Sequence, residues 1–461
     1  MLGMRNTCLA LATAALLAAC ASTPSPTPSA FDAPVAALPP AAKPAPQACP
    51  AEVPAGARCF TGADGSGAFY WIALPKDWSP STGVLVMHAH GGPADTGPAE
   101  LKRSEEDLKR WAVTVKAGYA WAGSTYRRGG YGVTMAAEDT ERLRKLFVRE
   151  FGQPRRTLLH GQSYGGGVAS KAAELYATVD GQRGPYDGVL LTSSVLGGGN
   201  RAYGFRLDLR VVYQAVCKNH PKADEPAYPL WMGLPKDSKL TRAELAARVR
   251  ECTGIGAPAA QRSEQQKANL AAIVNVIKIQ ERSLLGHLNW ATWLLQDLSQ
   301  LRLGNRNAFG NTAVAYKGSA NDAALNAGVL RYAADPAAVA LLAQDSEPQG
   351  KVNVPVLTLH AFNDPTAFVE LESAYRGILQ RAGTGHLLVQ TFSDESEHSY
   401  LADAQYPALF TALLDWVDKG DKPTPQKVLA LCQGYEAGYG KGCRIQPAYV
   451  PPSLDSRVAP R

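Results

Sequence analysis

Gly161-Gln162-Ser163-Tyr164-Gly165 is the stretch on which the reading of the fold turns. It follows the apolar run Thr157-Leu158-Leu159-His160 and opens residues 168–177, whose pattern predicts a helix. A serine set between a strand and a helix in G-x-S-x-G lies at a sharp bend with its hydroxyl exposed. Such a bend admits only small flanking residues. Gly161 and Gly165 supply them, and Gly166 and Gly167 let the helix approach closely. Ser163 is the expected nucleophile.

Outward from the bend the chain alternates. Residues 69–74 and 83–88 predict strands, the second an unbroken apolar run of the kind buried on both faces of a parallel sheet. Residues 101–116 predict a helix, 119–124 a strand, 138–151 a helix and 188–192 a further strand. That order implies right-handed crossovers and a mostly parallel sheet. The alternation stops over residues 196–351, where helical patterns at 241–251, 263–284 and 290–301 stand without strands. It resumes with a strand at 354–360, a helix at 368–381, a strand at 387–392 and a helix at 406–419. The resumed strands need the earlier ones to bury their faces. The middle therefore reads as a helical cap, residues 196–351, inserted into one sheet domain of residues 49–195 and 352–461.

A serine hydroxyl is a poor nucleophile near neutral pH and needs a base, usually a histidine oriented by a carboxylate. His398 lies in the polar loop that leaves the 387–392 strand at its carboxyl end, the edge where open parallel sheets bind ligands. His386 opens that strand and falls at the opposite end, and His360 lies within a strand. Asp364, after the 354–360 strand, reaches the same edge as His398. Asp before Pro365 is also a common turn or helix cap, and Asp394 and Glu395 are the substitute acids. The third requirement is a pair of N–H groups for a developing oxyanion. The Tyr164 amide is one candidate. Gly91 or Gly92, in His88-Ala89-His90-Gly91-Gly92-Pro93, is the other. Tyr126 and Arg127 face this edge, and Trp231, Trp290, Trp293 and Phe309 of the cap are candidates to line a substrate pocket. A metal could use His88 and His90 with Asp95, but nothing else in the chain completes such a set. No metal or other cofactor is expected.

His90-Gly91-Gly92-Pro93, Gly161-Gln162-Ser163-Tyr164-Gly165-Gly166, Asp364 and His398 together resemble the α/β-hydrolase superfamily over residues 69–419. The chain order of that family, Ser then acid then His, matches Ser163, Asp364, His398 and disfavours His360. The wording of the two glycine motifs is similar to the prolyl-oligopeptidase branch. That branch carries a β-propeller ahead of the sheet, for which the short leader here leaves no room, whereas a large helical cap is a feature of esterases and lipases. The resemblance implies an α/β-hydrolase fold, acyl transfer to water through a Ser-Asp-His triad, and a small ester or acyl substrate. A peptidase without the propeller is the alternative.

The ends of the chain speak of address. Arg5 and the apolar residues 9–19 form a segment too short to span a bilayer. Its end, Leu17-Ala18-Ala19-Cys20, resembles a bacterial lipoprotein signal. That implies removal of residues 1–19, acylation of Cys20 and, with Ala21 next, an outer-membrane anchor; an ordinary secretory peptide cut nearby, with a periplasmic or secreted product, is the alternative. Residues 20–48, rich in Pro and Ala, lack the apolar content to fold and read as a tether. Beyond Cys8 and Cys20 six cysteines remain, an even number in an oxidising compartment. Their spacing suggests the pairs Cys49–Cys59, Cys217–Cys252 and Cys432–Cys443. Hydrophobic content of 46%, charged content of 19% and a net charge of +6 without dense Lys/Arg runs describe an ordinary globular core and no nucleic-acid footprint.

Overall fold

A computed structural model describes residues 41–92 and 97–461. The signal segment and Cys20 lie outside the described residues. The chain first lays down β1 (Ala45–Gln47), β2 (Arg58–Ala63), β3 (Phe69–Leu74) and β4 (Val84–Ala89). Next come α1 (Leu101–Lys116), β5 (Ala120–Ser124), α2 (Val133–Phe151), β6 (Arg156–Gln162) and α3 (Tyr164–Leu175). A small ribbon, β7 (Thr178–Val179) and β8 (Gln182–Arg183), precedes β9 (Gly188–Thr192). The insertion contains α4 (Gly198–Cys217), α5 (Arg242–Thr253), α6 (Glu264–Ile277), α7 (Leu284–Asn289), α8 (Asp322–Gly328) and α9 (Pro336–Ser346). The sheet then resumes with β10 (Val356–Ala361), α10 (Glu370–Arg381), β11 (Leu388–Ser393), α11 (Gln405–Lys419) and α12 (Pro425–Tyr439).

Nine strands form one sheet in the order β1-β2-β3-β5-β4-β6-β9-β10-β11. The first three pair antiparallel with their neighbours, and everything from β5 to β11 is parallel. Both faces are covered. Leu108 and Trp111 of α1 and Phe410 and Leu413 of α11 pack on one face, with Leu158 and Leu190 of the strands. Phe147 of α2, Val168 of α3 and Tyr375 of α10 pack on the other, in an apolar cluster that runs on into the cap. A mostly parallel sheet flanked by helices, with a large helical insertion, is the α/β-hydrolase architecture. It arises here because strands apolar on both faces can be buried only between two helical layers.

Several details differ from the sequence reading. Residues 45–47, at the end of the Pro/Ala-rich leader, form β1 against β2, with Pro46 opposite Phe60. An edge strand tolerates the missing N–H of proline, and the Cys49–Cys59 disulfide holds the segment there. The helical stretch 263–284 is broken, because Lys278 turns left-handed at φ 59°. Conversely, residues 284–302 run on as one helical stretch whose later turns are of the wide π type. Helices α4, α8 and α9 in the cap and α12 near the C-terminus lack a sequence counterpart. The remaining disulfides, Cys217–Cys252 within the cap and Cys432–Cys443 behind α12, pair as the spacing suggests.

Candidate active site

The bend after β6 holds Ser163 at φ 56°, ψ −124°, a conformation that non-glycine residues adopt only where the surroundings enforce it. The flanking glycines explain how. A Cβ on Gly161 would strike the Gly165 carbonyl, and one on Gly165 would strike the carbonyls of Ala89 and His90. Ser163 thus stands at the N-terminus of α3, with its hydroxyl toward the carboxyl ends of the parallel strands.

Two further loops reach that edge. Asp364 follows β10 and His398 follows β11, as the register of the two strands requires. The Ser163 Oγ lies 2.8 Å from His398 Nε2, and His398 Nδ1 lies 2.7 Å from Asp364 Oδ2. Because Asp364 is fully buried and accepts from Nδ1–H, the imidazole presents Nε2 as acceptor to the serine hydroxyl. The other Asp364 oxygen, Oδ1, accepts the main-chain N–H groups of Thr366 (2.7 Å) and Ala367 (3.0 Å). The turn that an Asp-Pro pair favours and the contact with His398 coexist on opposite oxygens of one carboxylate. Glu395, a substitute acid in the sequence reading, instead accepts from Ala402 N and Gln405 Nε2 and shapes the histidine loop. Asp394 ties its N–H to the Arg444 carbonyl. His386 is exposed and distant.

The loop after β4 brings Gly91 beside the bend, since a Cβ there would meet Gln162 Oε1 at 2.5 Å and Ser163 Cβ at 3.3 Å. The Gly91 carbonyl accepts from His90 Nδ1 at 2.5 Å and from Arg103 Nη2 at 2.9 Å, which fixes the Gly91–Gly92 peptide plane. Burial pushes the His90 pKa down to about 3, so the ring stays neutral, stacked on Tyr126 with centroids 4.0 Å apart. Tyr164 contributes an N–H from the first turn of α3, where no intrahelical carbonyl can reach it. Its phenol accepts from Gly132 N at 3.0 Å.

Ser163, His398, Gly91 and Gly92 border a cleft of about 660 Å³, with Trp290 and Tyr400 as its aromatic walls and Arg103 and Arg110 on the α1 side. Of the six side chains named in the sequence reading for substrate contact, only Trp290 lines it. Trp231 is half-buried against the apolar core. Arg127 is committed elsewhere: Nε donates to Asp139 at 2.8 Å and Nη2 to Glu138 at 2.8 Å. Tyr126 is buried beneath His90. Trp293 packs under the Arg242 guanidinium, 4.6 Å from its ring centre, because the wide helical turns after Trp290 rotate it away. Phe309 lies in the core. His88 faces His160 at 3.2 Å, whereas His90 faces the Gly91 carbonyl, and Asp95 lies outside the described residues.

No family model matches the sequence, and no curated protein matches it. Among solved structures, similar chains include Candida antarctica lipase A, at 12% identity over 94% of both chains with a TM-score of 0.46. An esterase from Aspergillus oryzae is similar at 15% identity over 80% of both chains, TM-score 0.44. A bacterial membrane phospholipase A described as a virulence factor is similar at 14% identity over 79% of this chain and 88% of that one, TM-score 0.38. None of these likenesses assigns a role to any residue here.

Several neighbours of the site have no counterpart in the sequence reading. Gln162 Nε2 donates to the Ser399 hydroxyl, tying the residue before the serine to the residue after His398. The cap grips the acid loop, with His287 Nε2 donating to the Pro365 carbonyl at 2.9 Å and Gln280 Nε2 to the Asn363 carbonyl at 2.8 Å. Arg282 reaches the Ser396 carbonyl of the histidine loop. Behind Asp364, His360 sits fully buried between that carboxylate, 3.6 Å away, and Glu372, 3.2 Å away.

Proposed function

We propose that the chain is a serine hydrolase that cleaves carboxylic esters through an acyl-enzyme. The hydrogen-bonded line Ser163–His398–Asp364, at 2.8 and 2.7 Å, is the observation that carries this reading. In it His398 takes the serine proton as Oγ attacks the ester carbonyl, then delivers it to the departing alcohol. Water enters by the reverse roles and frees the acid. Asp364 orients the imidazole and stabilises its cationic form. The Tyr164 N–H and an N–H of the Gly91–Gly92 segment stabilise the oxyanion. Trp290 and Tyr400 bound the space for the substrate. Hydrolysis of p-nitrophenyl acetate, lost in Ser163→Ala and after a serine-directed organophosphorus reagent, tests the assignment. Turnover that survives Ser163→Ala would sink it. Ester and peptide-amide substrates compared side by side separate the esterase from the peptidase alternative. We further propose that Cys20 carries lipid and anchors the enzyme in the cell envelope; partition of the wild type, but not Cys20→Ser, into a detergent phase is the expected result.

A further inference from the structure

The ring of His360 meets only acceptors. Its Nε2 lies 2.9 Å from the Ala367 carbonyl and 3.6 Å from Asp364 Oδ2, and its Nδ1 lies 3.2 Å from Glu372 Oε1. A neutral imidazole has a single N–H and can satisfy one side. Two acceptor-facing nitrogens therefore call for a second proton, shared between His360 and Glu372. Both side chains are completely buried. Glu372 Oε2 is occupied as well, accepting from Thr358 Oγ1 at 2.9 Å and Gln390 Nε2 at 2.6 Å, so the carboxylate form is well solvated by the protein. That leaves the proton on the imidazole. Burial by itself pulls the His360 pKa down; the Glu372 hydrogen bond and the charges of Asp364 and Glu372 outweigh it, and the net direction is up. The charged groups facing His360 are Glu372 from α10 and Asp364 from its own loop. The neighbouring strand positions, Phe392 opposite His360 and Thr192 opposite Leu359, carry no charge.

We propose that His360, charged against Glu372, is a positioning residue that limits the negative charge Asp364 presents to His398. The inference rests on the triad reading of Ser163, His398 and Asp364. The site becomes a line of five groups in which the buried cation sets the basicity of His398 from behind. Without that cation His398 binds its proton more tightly, and the base form is reached only at higher pH.

The test is the acid limb of kcat/KM against pH with p-nitrophenyl acetate, which reports the free enzyme's base. Glu372→Gln keeps the shape of residue 372 but removes its hydrogen-bonded charge, the main support for a proton on His360. His360→Gln removes the cation and leaves Glu372 charged, and the double variant removes both charges. The expected order of the limb, from low to high pH, is wild type, then Glu372→Gln together with the double variant, then His360→Gln. Adjacent steps should be on the order of half a pH unit or more for charges this close and buried. A role in packing alone would lower stability and kcat without moving the limb or returning it in the double variant. Any member of the set that retains the wild-type circular dichroism reads the same quantity. A limb superimposable on wild type in Glu372→Gln or the double variant overturns the inference. If Ser163→Ala remains active, the triad reading falls first; if Ser163→Ala is dead and the limb is unmoved, only the role of His360 falls.

Discussion

The guanidinium of Arg110 closes on the main-chain carbonyl of Ser399, Nε at 3.2 Å and Nη2 at 3.0 Å, one residue beyond His398. The same group lies over the rings of Trp111 at 4.5 Å and Tyr400 at 4.9 Å and donates to the Tyr406 hydroxyl at 3.1 Å. The loop that carries His398 is thus pinned by α1, a helix from the other half of the sequence. Ser399 itself has φ 72°, a left-handed conformation that needs outside support in a non-glycine residue.

Arg110→Ala should release that loop and lower kcat roughly 10- to 100-fold with little change in KM, the scale expected when a catalytic group is displaced by about an ångström. Arg110→Lys should rescue little, since an ammonium cannot span the carbonyl and the rings as a planar guanidinium does. Steady-state kinetics on p-nitrophenyl acetate, with circular dichroism to show an intact fold, checks this. Wild-type kcat in Arg110→Ala would mean that the loop holds its own shape.

Gly91→Ala addresses the other side of the cleft. The added methyl meets Gln162 Oε1 at 2.5 Å and Ser163 Cβ at 3.3 Å, so either the β4 loop or the serine must move. A loss of kcat/KM on the order of 100-fold, the scale of losing one oxyanion donor, is expected while the fold persists. Gly92→Ala meets a separate obstacle, a backbone φ of 139°. Full activity in Gly91→Ala would place the oxyanion donors elsewhere.

The parallel strands and the loops that bear Ser163, Asp364 and His398 are legible in the sequence, because strands buried on both faces leave unbroken apolar runs. The antiparallel edge strands, β1 exposed and β2 only partly buried, are not. Helix α1 is legible to the residue, Leu101–Lys116, yet what Arg110 does is not. A cation on an amphipathic helix looks the same whether it meets water or a carbonyl 289 residues later in the chain. Helix α4 is hidden for a different reason. It is buried nearly all round and carries Arg206, Asp208 and Arg210 in its interior, so no apolar stripe marks it. Arg127 shows the limit of edge arguments: position at the right strand end is legible, while its commitment to Asp139 and Glu138 depends on where α2 docks.

The three disulfides differ in what they constrain. Cys217–Cys252 closes 35 residues of the cap, against 10 for Cys49–Cys59 and 11 for Cys432–Cys443. Loop-closure entropy makes the cap bridge the most stabilising, about 4 kcal/mol against roughly 3 for either of the others. Cys217→Ala/Cys252→Ala should therefore lower the urea midpoint more than the corresponding pairs at the two ends. Equal midpoints for all three double variants would contradict the ranking.

Five buried histidines set the acid side of the stability profile. Burial lowers His90, His160 and His287 to about 3 and His88 and His220 well below their ordinary value. In the unfolded chain each returns to about 6.5. The native state therefore refuses protons that the unfolded state accepts, and this contribution to stability is complete above pH 6.5. It is lost as pH falls toward 3, at about 1.4 kcal/mol per pH unit for each histidine. Buried acids act in the opposite sense. Burial raises Asp107 and Asp139 to about 7, Asp297 and Asp345 to about 6, and Glu174, Asp208 and Glu347 above their ordinary values, so down to about pH 4 the native state binds protons that the unfolded acids do not. They offset most of the histidine loss in that interval and none of it below. Stability should accordingly change little from about pH 7 to 4 and fall steeply from 4 to 3. Urea unfolding at fixed temperature across pH 3–8 measures the curve. A curve that stays level from pH 4 to 3 would show that the native fold leaves these imidazoles open to protonation.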